Sequence, residues 1–521
     1  MLCFRLMRLL LCAALCAALC VAAPLPGQTV APEGSGDIVP GRYLLVYRNG
    51  VIPPGADTSI EAAGGRVIGR HSRFGITAVQ TSVRPAVARL AGRPGSTDDD
   101  AAVSASLQSQ PGVAYVLHDR VVKAHHLRVR AVPDPVFSVA VAAGTFDTYY
   151  NSPQGWAVRQ VGGFGGNIPG GPAHGPWDVS RGKGVRIAIL DSGVDAGHPD
   201  LAPNLALNIS EVNSAVMPSV CDDGTPEDQD GHGTWTASLA AAALGPGTGK
   251  VAGVAPSATI LNIKVLERMP AATGPDDMAR CNAGEATGLM SWVIQGIDDA
   301  ITNQADIISM SLGTIVDLST GDGAGLKAVF DQVTAAAAQA GVVLVAAAGN
   351  SATNLSDPRY IELPAQAQDV LAVVASTNPD CMQNVAPGSA CVGGPVSLAY
   401  YSNYGAPLNA VAAPGGSYPS GGDMEVSGWV RGACSSGLPG TASGLPSVAG
   451  HSFGCFDLGH AEYVQAIGTS ASAPLVAGAA ALLRASHPEW DAATTINALR
   501  VLALPAGSSL PYPQVTIVSA F

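Results

Sequence analysis

The stretch Val185-Arg-Ile-Ala-Ile-Leu190 is a short, β-branched, nearly continuous apolar run that stops at Asp191-Ser-Gly193. A run of this kind predicts a strand buried on both faces of a parallel sheet. Ile260–Val265, Ile307–Met310, Val342–Ala347 and Val370–Ala375 read the same way. Between them, Trp292–Asn303, Gly325–Ala340 and Ala471–Ala485 predict helices. Strands alternating with helices imply a doubly wound, mostly parallel α/β sheet with both faces covered. In such sheets the chemistry sits at the carboxyl ends of the strands, where Asp191 falls.

The 521 residues include 47% hydrophobic and only 13% charged side chains, which suits a packed globular protein and excludes a disordered polyelectrolyte. A formal charge of −13 argues against a nucleic-acid binder, because phosphate neutralisation needs clustered Lys and Arg. At the N-terminus, Arg5 and Arg8 precede an apolar run from Leu9 to Val21, then small residues and prolines. About 13 apolar residues match a secretory signal and are too few to span a bilayer. We therefore expect a signal peptide over residues 1–23, no stable membrane anchor, and an extracellular or periplasmic protein. Of ten cysteines, Cys221, Cys281, Cys381, Cys391, Cys434 and Cys455 lie beyond this segment. Six cysteines in an exported chain predict disulfides, with 15 possible pairings. Short loops favour Cys381–Cys391 and Cys434–Cys455, which leaves Cys221–Cys281. No Cys-x-x-Cys or clustered His points to zinc.

Residues 41–123 predict a small α+β unit: Arg42–Arg48, Val67–Val79 and Val113–Val122 are strand-like, and Pro85–Leu107 has room for a helix. Residues 124–152, with Pro133 and Pro135, read as a linker, and 153–521 as the main domain. The stretches 267–283 and 414–465 read as long surface insertions held by cysteines.

Four short segments carry chemistry. Ala188-Ile-Leu-Asp191-Ser-Gly puts an acid at a strand end, and Asp230-Gly-His232-Gly-Thr puts a histidine between glycines before an Ala-rich helix. Ala346-Ala-Ala-Gly349-Asn350 ends another strand, and Gly468-Thr-Ser470-Ala-Ser-Ala-Pro opens a small-residue helix with a serine. Singly they read as turn or capping residues. Together they supply a nucleophile, a base, an acid to orient the base, and an oxyanion donor, which is what acyl transfer requires.

In these segments, and in the order Asp, His, Ser, the chain resembles the subtilisin-like serine proteases. The resemblance runs from about Trp156 to Leu504 and implies the subtilisin-like fold. It implies Asp191, His232 and Ser470 as catalytic triad and Asn350 in the oxyanion hole. Ser309-Met-Ser-Leu312-Gly313 resembles the family's substrate-pairing strand, which with Gly349 lines the pocket for the residue before the scissile bond (P1). Residues 41–123 resemble the family's inhibitory propeptide, so the chain's own N-terminal unit is the partner expected to assist folding and block the site. Protein or peptide substrates complete the expected partners, and nucleic acid does not belong among them. Trp235 stands where the family usually has His, and Ala471 where it usually has Met. No metal site is assignable. Calcium as a structural ion is a family expectation without ligands; the family's calcium loop is not visible near 243–251, and Asp200, Asp222, Asp223 and Asp228 are as readily a solvated acidic loop.

The implied reaction is peptide hydrolysis by a self-processing zymogen. Counting back from Pro364 puts Glu362 near the base of the P1 pocket, where a carboxylate favours Arg or Lys and Arg128 and Arg130 of the linker are matching cleavage sites. The alternative places Glu362 on a solvated loop. A catalytically silent binding protein of this fold would need a damaged triad, and all four positions are intact.

Overall fold

The computed structural model describes residues 38–81, 97–125, 128–131, 155–165, 174–244, 251–377, 396–416, 429–436, 454–458 and 461–521. The expected signal peptide, most of the linker and the expected Cys381–Cys391 pair lie outside them.

The N-terminal unit runs β1 (Ile38–Tyr47), α1 (Ala56–Ala62), β2 (Gly65–His71), β3 (Ile76–Thr81), α2 (Thr97–Gln108) and β4 (Val113–Ala124). The apolar run expected over Val67–Val79 is broken into β2 and β3 by a turn at Ser72–Phe74. In the sheet, β1 lies between β3 and β4, all antiparallel. Alternate residues of β1 face opposite ways, as a strand requires. Tyr43, Leu45 and Tyr47 join Ile60 and Leu107 of the unit's own helices, whereas Leu44 and Val46 join the core around Met290, Val293 and Val329 of the main domain. The N-terminal sheet is therefore buried on both faces, once by its own helices and once by the main domain. A short β5 (Arg128–Ala131) follows.

The main domain continues through α3 (Trp156–Val161), β6 (Arg186–Asp191), β7 (Leu205–Ser210), α4 (His232–Ala241), β8 (Thr259–Lys264), β9 (Leu266–Met269), α5 (Asp277–Asn282), β10 (Glu285–Leu289), α6 (Met290–Thr302), β11 (Ile307–Met310) and β12 (Leu312–Asp317). Then come α7 (Gly321–Gln339), β13 (Val343–Ala347), β14 (Tyr360–Leu363), β15 (Val370–Thr377), β16 (Ser397–Leu398), β17 (Val411–Pro414), β18 (Val430–Ala433), β19 (Tyr463–Ile467), α8 (Thr469–Ser486) and α9 (Ala492–Leu502). The central sheet has the order β16-β15-β13-β11-β6-β8-β7, with β17 beside β15. Apart from β16, its strands pair in parallel. Later strands are added on one side of β6 and β7–β8 on the other, so the order reverses beside β6, and a cleft opens at its carboxyl end. Helix α8 runs through the core, buried from Thr469 to Leu483, which its Ala- and Gly-rich sequence permits because small side chains allow close packing against the sheet.

Strand β4 binds the two parts together. Its first half pairs with β1, and its end lies between two strands of the main domain. Val121, Val122 and Lys123 pair with Leu289, Gly288 and Thr287 of β10, and Lys123 and Ala124 pair with Gly313 and Leu312 of β12, all antiparallel. The same strand caps α6, whose own preceding residue Leu289 offers no side-chain cap. Asp119 accepts from Ser291 N (3.1 Å) and Ser291 Oγ (2.6 Å), placing a carboxylate on a helix N-terminus.

Two disulfides, Cys221–Cys281 and Cys434–Cys455, join the pairs expected from the sequence among the described residues. The first ties the loop before α4 to the 267–283 insertion, part of which is ordered as β9 and α5 rather than irregular. Closing a 60-residue loop removes about 4 kcal/mol of unfolded-chain entropy. The Cys221→Ser, Cys281→Ser chain should therefore unfold at a lower temperature in calorimetry; an unchanged midpoint would show that this bridge does not hold the loop.

Candidate active site

Asp191 ends β6 and His232 opens α4. His232 Nδ1 donates to Asp191 Oδ1 at 2.7 Å, with both side chains buried. Asp191 also accepts from Ser192 N (2.7 Å) and, on Oδ2, from Thr236 Oγ (3.0 Å), so both carboxylate oxygens are held. Thr236 lies one helical turn after His232, a spacing legible in the sequence but not singled out there.

The turn before His232 is organised by Asp228, another residue whose role the sequence did not reveal. Its Oδ1 accepts from Asp230 N, Gly231 N and Ser192 Oγ, and its Oδ2 from Thr234 N (2.8 Å) and Thr234 Oγ (2.6 Å). One buried carboxylate thus satisfies first-turn N–H groups of α4 and fixes the residue after Asp191. The acids considered for calcium do not fit that ion. Asp222 is paired with Lys264 at 2.9 Å, Asp200 accepts from Tyr463, Asp223 accepts from Thr225 and Gln229, and Asp228 is occupied as a cap. Among the described residues no three metal-ligating side chains gather, and residues 245–250, where the family's calcium loop was sought, lie outside them.

Burial disfavours a charged His232, but the attraction and hydrogen bond of Asp191 outweigh it, aided by Asp230 and Asp228, and hold the imidazole above its ordinary 6.5. Asp230 itself is pushed up to about 6 by burial, against the pull of Arg268. Glu267, buried beside them, is pushed up to about 9, by burial first and then by Asp222, so it is uncharged at neutral pH.

Ser470 sits in the first turn of α8. Pro474, four residues on, has no N–H to donate to the Ser470 carbonyl; Ser311 Oγ donates to it instead, at 3.0 Å. Asn350, just past β13, accepts on Oδ1 from Thr469 N and Thr469 Oγ, both at 2.9 Å. A backbone donor can meet only the oxygen, so this fixes the amide orientation. The Nδ2 group is left buried with no acceptor among the described residues.

The cleft is filled by the chain's own residues. After the β4 ladder, His125 N–H donates to the Ser311 carbonyl at 3.1 Å. The Ser470 hydroxyl faces two carbonyls, donating to that of His125 and, at 3.2 Å, to that of Ser311. The His125 ring enters a pocket whose base is Glu362, with Nε2 3.1 Å from Glu362 Oε1. The sequence offered two places for Glu362; it is 1% exposed, in β14, next to Leu363 and the cis bond to Pro364, and not on a solvated loop. Gly313 and Gly349 line the same pocket. A Cβ on Gly313 would lie 2.6 Å from His125 Nε2, and one on Gly349 would lie 3.0 Å from Glu362 Oε2. Leu312 and Gly313 pair with the docked strand, as the resemblance implies. Ser309 does not reach it. It lies inside the central sheet, in register with Ile189 and Val345, and Ser311 makes the cleft contacts. Arg128 and Arg130 are not at the nucleophile either: their backbone pairs with Ile467 and Gln465 of β19, past Ser470.

The sequence model of the Subtilase family matches residues 182–509. Subtilisin NAT of Bacillus subtilis subsp. natto is 32% identical over 331 residues, covering 64% of this chain and 63% of that relative. The chain thus spans 63% of that curated relative's length. Fervidolysin of Fervidobacterium pennivorans, a keratinolytic enzyme related to subtilisin, superposes with a TM-score of 0.58 at 20% identity, over 94% of this chain and 61% of its own. The epidermin leader peptide processing serine protease of Staphylococcus aureus does so with a TM-score of 0.58 at 17% identity, over 92% and 97%. These two structures share the fold.

In the Ser470→Ala chain, the His232 ring resonances should titrate with a midpoint above 6.5. Asp191→Asn removes the largest raising contribution and should move the midpoint downward. An unmoved midpoint in the NMR titration would separate His232 from Asp191.

Proposed function

The chain belongs to the Subtilase family, and from that premise we propose that it is a secreted serine endopeptidase, made as a self-processing zymogen, that cuts protein or peptide substrates through Asp191, His232 and Ser470. The observation that carries this reading is that an antiparallel ladder brings the backbone of the chain's own N-terminal unit to the Ser470 hydroxyl, at the His125 carbonyl, as a bound peptide substrate would lie.

Ser470 Oγ attacks the carbonyl carbon while His232 takes its proton. Asp191, holding Nδ1–H, keeps the second ring nitrogen basic and stabilises the imidazolium. The oxygen of the tetrahedral intermediate is met by Asn350 Nδ2, a donor already desolvated and without a partner, and by the Ser470 N–H at the α8 N-terminus. His232 then gives the proton to the leaving amine, and water releases the acyl group by the reverse steps. Because His232 must be neutral to act as base, and because Asp191 raises it, activity rises with pH through a midpoint above that of an ordinary histidine.

The N-terminal unit acts as inhibitor and folding partner. Inhibition is supported by the cleft it occupies. A folding role is supported by its capping of α6 through Asp119 and by the apolar face it buries on α6 and α7. Secretion is supported by the leader sequence and the disulfides.

Ser470→Ala should abolish casein hydrolysis and leave the chain uncut; full activity in that variant would overturn the reading. Asn350→Ala should lower kcat by about 10²–10³-fold, and an unchanged kcat would remove Asn350 from the oxyanion hole.

A further inference from the structure

Glu362 is almost wholly out of water, and among the described residues the one basic side chain paired with it is His125. Among the described residues the main domain supplies no Lys or Arg to it. It supplies one neutral donor, Asn403, whose Nδ2 reaches Glu362 Oε2 at 3.2 Å. Asn403 is fixed in turn: its Oδ1 accepts from Ser351 N (3.1 Å) and Thr353 N (2.9 Å), so its amide can only turn the NH₂ group toward the carboxylate. One oxygen of Glu362 is thus held by the enzyme, and the other is left for whatever enters the pocket. A buried carboxylate lacking a full set of donors is costly, and a donor carried by the substrate relieves that cost.

The size of the opening selects among donors. With the His125 N–H on the Ser311 carbonyl and the His125 carbonyl on Ser470, the imidazole already brings Nε2 to 3.1 Å from Oε1. The arms of Arg and Lys are longer. To enter with the same backbone position, either would have to push Glu362 back against Asn403 and Gly349, and the bond that Asn403 makes opposes that. Phenylalanine carries no donor for Oε1.

Resting on the peptidase reading above, we propose that the pocket selects histidine on the amino side of the scissile bond, with Glu362 as the specificity-determining residue, and that the precursor's first cut falls between His125 and His126. In that cut Ser470 Oγ bonds to the His125 carbonyl carbon and the bond to the His126 nitrogen breaks. The Ser470 proton passes through His232 to the departing amine. Water then hydrolyses the ester, leaving a His125 carboxylate and regenerating Ser470. Asn403 acts through Glu362 as a positioning residue.

The test uses the full-length chain. N-terminal sequencing of the self-processed product should give a terminus at His126. The matured enzyme is then given Val-Lys-Ala-Xaa-aminomethylcoumarin peptides with Xaa as His, Arg or Phe, and active sites are counted with a fluorophosphonate probe. Histidine should exceed both others in kcat/KM by about tenfold or more, the worth of one charge-assisted hydrogen bond. In Glu362→Gln the His-to-Phe ratio should fall toward one, through KM more than kcat. Equal or better turnover after Arg or Phe by labelled enzyme, or a first terminus elsewhere, overturns this specificity and leaves the peptidase reading standing. Absence of both labelling and cleavage overturns the peptidase reading, and the specificity with it.

Discussion

The antiparallel ladder between Lys123–Ala124 and Leu312–Gly313 is the constraint on which the rest of the site depends. A ladder has a fixed repeat, so pairing at those residues dictates where the next carbonyl falls, and it falls at Ser470. A slip of one residue would turn every side chain of the docked strand to the opposite face and take His125 out of the Glu362 pocket. Register is held upstream by β10 and β1, by the Asp119 cap on α6, and by the apolar face of the N-terminal sheet on α6 and α7. Positioning at Ser470 is therefore spread over the whole N-terminal unit and does not rest on the last residues alone.

The second constraint is electrostatic. His232 is buried, and burial alone would keep it neutral and weakly basic. Asp191 reverses this at 2.7 Å, and Asp228 makes that distance possible by fixing both the turn before α4 and Ser192 after Asp191. The Cys221–Cys281 and Cys434–Cys455 bridges flank this turn. A Cβ on Gly231 would lie 2.8 Å from Cys434 Sγ, and Cys221 adjoins Asp222, whose pair with Lys264 anchors the loop to β8. The described residues around both bridges thus brace the turn before one histidine. Asn350, the proposed oxyanion donor, is handled oppositely: it is held by its oxygen, and its nitrogen has no acceptor among the described residues.

Much of this was legible in the sequence. The parallel strands announce themselves because burial on both faces forbids polar alternation, as in Val185–Leu190. The small-residue helix after Ser470 was legible because Ala and Ser recur along it, as close packing through a core favours. What stayed hidden has physical causes. Strand β7 is half-buried and short, so its apolar signal is diluted. Asp228 and Asn403 do their work by accepting from backbone donors, and a chain gives no sign of which N–H will need an acceptor. Ser309 and Ser311 differ by one strand period, and only the crossing from the parallel sheet into β12 tells which of them faces the cleft. The sequence offered the pocket as one of two places for Glu362, but it did not offer His125 as the occupant, since Arg128 and Arg130 are the obvious cations nearby. Register made His125 the residue that arrives.

Residues 121–125 lie as a strand in the chain's own cleft, and amide hydrogen exchange on the full-length Ser470→Ala chain measures this pairing. The amides of Lys123 and His125 should exchange slowly, together with those of Leu312 and Gly313. Exchange of 121–125 at the rate of an unstructured chain, with the central sheet still protected, would contradict it.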